Sequence, residues 1–274
     1  MHYIDPISQP DFPQPSPLDS ATTQSVTGNG GAVDLVDVLL IALVAFFSLV
    51  GCTVAGLTVY WFQHRALHLS SEGLSKAFAH DTLYLVLVQL AAYLVVIGFM
   101  ALLTWSRHHL PLPQAISWSA PSRQRVFSAV ALGVGLAFVS DIGNVVLNRW
   151  IPKSLPITEM FKDRSSAFLL AGFGILVAPL VEEMLFRGFL YPALARFTGM
   201  LPSIVVTASL FTLLHGAQLS FSWAPLLLIF IVGLALTIVR AATRSVAMSV
   251  VVHVTYNFML LAQTFVVTHG FRQM

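Results

Sequence analysis

Two adjacent carboxylates and a guanidinium lie inside a long apolar run, Val177-Ala178-Pro179-Leu180-Val181-Glu182-Glu183-Met184-Leu185-Phe186-Arg187-Gly188-Phe189. Each charge at a bilayer centre costs roughly 2.5–3.5 kcal/mol on insertion scales. A chain that keeps three such groups there must pair them, hydrate them or use them. In a helix Glu183 and Arg187 are four apart and share a face, so they can pair. Glu182 lies about 100° further round and is left over. A carboxylate left unpaired in a low-dielectric cavity can serve as a general base.

Two further groups complete a candidate set. Phe211-Thr212-Leu213-Leu214-His215 puts a histidine at the end of an apolar run, and His253-Val254-Thr255-Tyr256-Asn257 puts an imidazole and an amide four apart on another. One Glu and one His can hold and deprotonate a water, while the other His and the Asn can donate to a developing oxyanion. Glu182, His215 and His253 could equally hold a divalent metal such as zinc, since imidazole and carboxylate are ordinary zinc ligands. Asp141 and Asn144, three apart on another span, are read as an interhelical tie. His-Glu-x-x-His, Gly-x-Gly-Asp and Gly-x-Ser-x-Gly are absent from the sequence.

The elements that must position these groups are apolar helices. Of 274 residues 57% are hydrophobic and 9% charged, with mean hydropathy +0.81. Soluble domains carry about 25% charge, so a water-soluble globule is excluded. Continuous apolar runs without alternation indicate membrane helices and not an outer-membrane barrel. The expectation is an all-α polytopic transmembrane bundle of about seven spans (six to eight), with the catalytic cavity formed by the late helices. The spans are expected near 37–62, 82–105, 126–147, 167–197, 203–215, 223–239 and 246–267. The fifth is short, and Pro179 and Pro192 should each bend the fourth.

A Pro/Ser/Thr/Gly-rich stretch, 1–34, reads as a disordered tail, followed by N-terminal helices over 35–150 and a catalytic region over 151–274. The tail lacks the basic and apolar segments of a signal peptide. His64, His68 and His80 are irregularly spaced and read as a solvated loop. Cys52, the single cysteine, reads as a packing residue. The net charge of +2 implies no nucleic-acid partner. Lys and Arg are nearly balanced between alternate loops, with a weak lean to the tail outside.

Glu182-Glu183-x-x-x-Arg187, Phe211-x-x-x-His215 and His253-x-x-x-Asn257, in that order on late apolar helices, resemble the three motifs of the CPBP family. These are the type II CAAX prenyl endopeptidases and the bacteriocin-immunity or abortive-infection membrane proteins. The resemblance covers about Ala167 to Gln263. It implies an intramembrane endopeptidase in which Glu182 and His215 activate water, His253 and Asn257 stabilise the oxyanion, and Glu183 and Arg187 support the site. A metalloprotease and a metal-free glutamate mechanism both stay open. The implied partners are membrane lipid and a membrane-associated peptide or protein, and the implied location is a bacterial cytoplasmic membrane. A non-enzymatic immunity or scaffolding protein is the alternative, and a proton-coupled transporter is disfavoured because no repeat is visible.

Overall fold

The computed structural model describes residues 33–67, 70–159, 161 and 163–272. The tail up to residue 32, His68 and Lys162 lie outside the described residues. Among the described residues ten helices follow in chain order: α1 (Leu35–His64), α2 (Ser71–Ala79), α3 (Thr82–His108), α4 (Leu112–Ala115), α5 (Arg123–Leu147), α6 (Pro156–Glu159), α7 (Arg164–Thr198), α8 (Met200–Leu214), α9 (Trp223–Thr243) and α10 (Val246–Val267). There is no strand among the described residues. Local chemistry starts the long helices where the apolar runs begin. Side chains of Asp34, Asp81, Ser122 and Asp163 accept the N–H three residues on and cap α1, α3, α5 and α7. At the other ends His109 and Arg244 take left-handed backbone after α3 and α9, and Gly199 at φ 78° breaks α7 from α8.

Six helices (α1, α3, α5, α7, α9 and α10) are long and apolar enough to cross a membrane. The seventh expected span is α8, whose 15 residues reach only about 22 Å at 1.5 Å per residue, short of the roughly 30 Å hydrocarbon core. His215 is its C-cap. Trp150 meets Trp223 edge-on at 5.5 Å, joining the end of α5 to the start of α9.

The helices pack as α1 along α3, α5 along α10 and α8 along α9, with α7 running between α3 and α10. One core gathers Ile41, Val96, Met100, Met184, Phe189 and Val246 around α7; a second gathers Ala137, Val232, Leu236, Val252 and Tyr256 between α5, α9 and α10. At Gly133 a Cβ would stand 2.7 Å from the Val252 carbonyl oxygen and 2.7 Å from Thr255 Cβ. Small size is what lets α5 approach α10. The tie read at Asp141 is present, with Gln263 donating to its carboxylate at 2.7 Å across the same pair of helices, whereas Asn144 is exposed.

The start of α1 is clasped to the end of α3. Asp37, fully buried, accepts from Arg107 and from His108 Nε2 at 2.8 Å, while Arg107 also reaches Asp34 at 3.2 Å. The Asp37 N–H, and then the Arg107 guanidinium, hold the Asp34 carboxyl below its usual range, against partial burial. A carboxylate depressed in the fold contributes stability above its unfolded value, near pH 3.9, and loses it as pH falls through the folded value. In detergent, the thermal midpoint of Asp34→Asn should lie below wild type at neutral pH, and the gap should close below about pH 4. Gly133→Ala has only backbone and a short branched side chain to push against, so calorimetry should show a loss of about 1–3 kcal/mol.

Candidate active site

Along α7 the hydrogen bonding widens twice. Phe173–Val177 and Met184–Leu190 are π turns, each directly upstream of a proline step, Ala178-Pro179 and Tyr191-Pro192. The Ala178 N–H bonds Phe173 O and the Tyr191 N–H bonds Phe186 O, both five residues back. The carbonyls skipped are Gly174 and Arg187. Neither proline has an N–H to offer them. A side chain from a later helix fills each gap: Asn257 Nδ2 donates to Gly174 O at 2.7 Å, and Arg240 Nε to Arg187 O at 3.0 Å. The expected effect of the prolines thus takes the form of local π geometry at functional residues.

Between the two turns sit the glutamates, and they differ. Glu183 is fully buried; its Oε1 accepts from Arg187 Nη1 at 2.9 Å and from His253 Nδ1 at 2.9 Å. Arg187, also fully buried, donates from Nη2 to Gly233 O at 2.9 Å and from Nε to Thr237 Oγ1 at 3.3 Å. Its guanidinium lies 4.6 Å from the Phe211 ring centroid. The Glu182 side chain keeps 20% of its surface exposed, with Oε2 3.8 Å from His253 Nε2.

The imidazole tautomers follow from their partners. The Phe211 carbonyl accepts from His215 Nδ1 at 2.9 Å, and a carbonyl can only accept, so Nδ1 carries the proton and the neutral ring presents Nε2 as a lone pair. By the same reasoning the Glu183 carboxylate fixes the Nδ1–H of His253 and turns its Nε2 toward Glu182. The Phe211 ring links the two histidines, lying 4.7 Å from His215 and 5.9 Å from His253 between centroids.

The structure therefore joins Glu182, Glu183, Arg187 and His253 directly, and brings in His215 through Phe211 and Asn257 through the first π turn. Two expectations change. Glu183 serves both Arg187 and His253, and is not paired with Arg187 alone. One N–H of the Asn257 amide is committed to Gly174, leaving the second. Among the described residues no three of His, Cys, Asp and Glu are grouped to hold a metal. Glu182, His215 and His253 as placed are not grouped as a three-ligand site, although the Nδ1 bonds of the two histidines leave each Nε2 as the nitrogen a metal would use.

Sequence reasoning missed four contributors: Gly233 and Thr237, which grip Arg187; Arg240, which the span boundaries left at a loop; and Tyr93 of α3. Tyr93 stacks on Phe173, in the first π turn, at 5.8 Å between centroids. A tyrosine in the middle of an apolar span was the one signal available for it.

Residues 164–259, from the start of α7 into α10 and about a third of the chain, match the family model for type II CAAX prenyl endopeptidase, Rce1-like. No curated protein and no solved structure matches the chain significantly.

Arg187→Met would strand the Glu183 carboxylate, with only His253 left to pair it, in a dry interior, and breaking buried pairs in this way costs about 3–5 kcal/mol. Glu182→Gln keeps the size of a partly exposed side chain and removes no hydrogen bond. Chemical unfolding in detergent should thus separate the two, with a large loss for Arg187→Met and a change within about 0.5 kcal/mol for Glu182→Gln.

Proposed function

We propose, on the premise that residues 164–259 belong to the CPBP family of CAAX proteases, that this integral membrane protein is an intramembrane endopeptidase. It hydrolyses a peptide bond of a membrane-associated peptide or protein. The observation that carries this reading is the inequality of the two glutamates. Glu183 is locked by Arg187 and His253, whereas Glu182 is partly open beside an imidazole edge. A purely structural acid pair has no use for an open second carboxylate in an apolar helix.

In the mechanism, Glu182 and His215 Nε2 orient a water and take its proton as it attacks the scissile carbonyl. His253, braced through Nδ1 by Glu183, donates to the oxyanion from Nε2 when that nitrogen carries the proton. The remaining Asn257 N–H donates to the same oxygen. Proton return to the leaving amine closes the cycle. No step is routed through a metal, because the residues as placed do not form a three-ligand site. The substrate reaches the site from the lipid phase of a bacterial cytoplasmic membrane.

In proteoliposomes with a quenched lipidated peptide, Glu182→Ala and His215→Ala should each lower turnover about 10²–10⁴-fold while inserting at wild-type levels. Activity should survive exhaustive chelation. Undiminished turnover in both variants would remove the hydrolytic assignment, and a chelator-dependent loss restored by zinc would make the protein a metalloprotease. Wild-type protein that cleaves nothing yet protects cells from a peptide toxin would instead support the immunity reading.

A further inference from the structure

Arg240 is a cation the hydrolytic set does not use. It is 7% exposed, and among the described residues no carboxylate lies in ion-pair range of it. Its Nε bonds the Arg187 carbonyl at 3.0 Å. That carbonyl is the one the second π turn leaves without a backbone donor, because the Tyr191 N–H goes to Phe186 O and Pro192 has none. A buried carbonyl without a partner is costly. Gly233, Thr237 and Arg240 lie four and then three apart, one stripe of α9. Through that stripe α9 holds Arg187 at three atoms: Gly233 O and Thr237 Oγ1 on the guanidinium, and Arg240 Nε on the main chain.

We propose that Arg240 is a positioning residue that supplies the hydrogen bond Pro192 cannot, fixing the π turn and with it the register of Glu182 and Glu183 against His253. Its catalytic consequence rests on the hydrolytic reading above; its structural part does not. A different account is open to any arginine near a helix end, namely interaction with the helix dipole and the membrane interface. The two accounts differ in what would replace the side chain. If Arg240 substitutes for an N–H, a backbone N–H restored at residue 192 can reach Arg187 O five residues back. If Arg240 serves the interface, it cannot.

The test is a double-mutant cycle in the full-length protein, with Arg240→Met, Pro192→Ala and both together. It is read by thermal midpoint in detergent and by kcat and KM on the quenched peptide. Arg240→Met should lower the midpoint and cut kcat by about ten- to a hundredfold, the range for small misplacements of catalytic groups, with KM little changed. Adding Pro192→Ala should recover most of both, and Arg240→Lys should fall between. Additive effects of the two substitutions, or wild-type kcat and midpoint in Arg240→Met, would overturn the proposal. Should Arg240→Met fail to accumulate, accumulation of the double variant supports it and failure of both overturns it. Absence of cleavage by the wild type counts against the hydrolytic reading alone, because the midpoint cycle still decides the brace.

Discussion

A fully buried guanidinium can persist in an apolar bundle only if nearly every donor it carries finds an acceptor, and Arg187 sets that condition here. Its Nε, Nη1 and Nη2 bond Thr237, Glu183 and Gly233, and its face lies on Phe211. These partners come from α7, α8 and α9, so one side chain dictates how three helices meet. Gly233 has to be small for this. A Cβ there would stand 3.3 Å from the Phe211 ring and 3.4 Å from Ala208. Burying Glu183 beside Arg187 compensates the charge, yet replacing such a pair with apolar groups is often neutral or stabilising. Stability alone therefore does not explain why the pair is present. What the pair does provide is a fixed carboxylate oxygen for His253 Nδ1.

The other Glu183 oxygen, Oε2, is buried without a hydrogen-bond partner among the described residues, as is Ser249 Oγ one turn before His253 on α10. Unmatched polar atoms next to the candidate chemistry are what a site designed around function, and not around packing, leaves behind. The second and third motifs then act as two imidazoles whose Nδ1 atoms are engaged, one by main chain and one by carboxylate. Both leave Nε2 for chemistry, but with different neighbours. His215 Nδ1 is held by a main-chain carbonyl, whereas His253 lies between Glu183 at Nδ1 and Glu182 at Nε2.

How much of this was legible in sequence varied with the range of the interaction. The all-helical membrane class followed from composition, and six of seven expected spans have spanning length, because a 3.6-residue period and apolar length are local properties. The Glu183–Arg187 pair was readable because both partners lie on one helix. The His253–Glu183 bond joins residues 70 apart, and spacing within a helix says nothing about which carboxylate of two will face another helix. Asp37 stood at the start of one expected span, and Arg107 and His108 fell just past the end of another, for the same reason, although both side chains clasp the buried Asp37. Tyr93 and Arg240 carry no motif at all; each matters only through what it touches.

Prolines at 179 and 192 were legible as breaks, but not what the breaks would do. A proline removes one N–H and leaves carbonyls upstream; whether the helix kinks or widens depends on whether something else can satisfy them. Here α10 supplies an amide and α9 a guanidinium, so α7 runs on from Arg164 to Thr198 through two π turns. The first gap ties α7 to the helix of His253, and the second ties it to the stripe that grips Arg187. The hydrogen bonds that proline takes from the helix thereby become contacts between helices, at the two places that flank Glu182 and Glu183. A regular α-helix, with every carbonyl paired internally, would have had none of these backbone attachments to offer its neighbours.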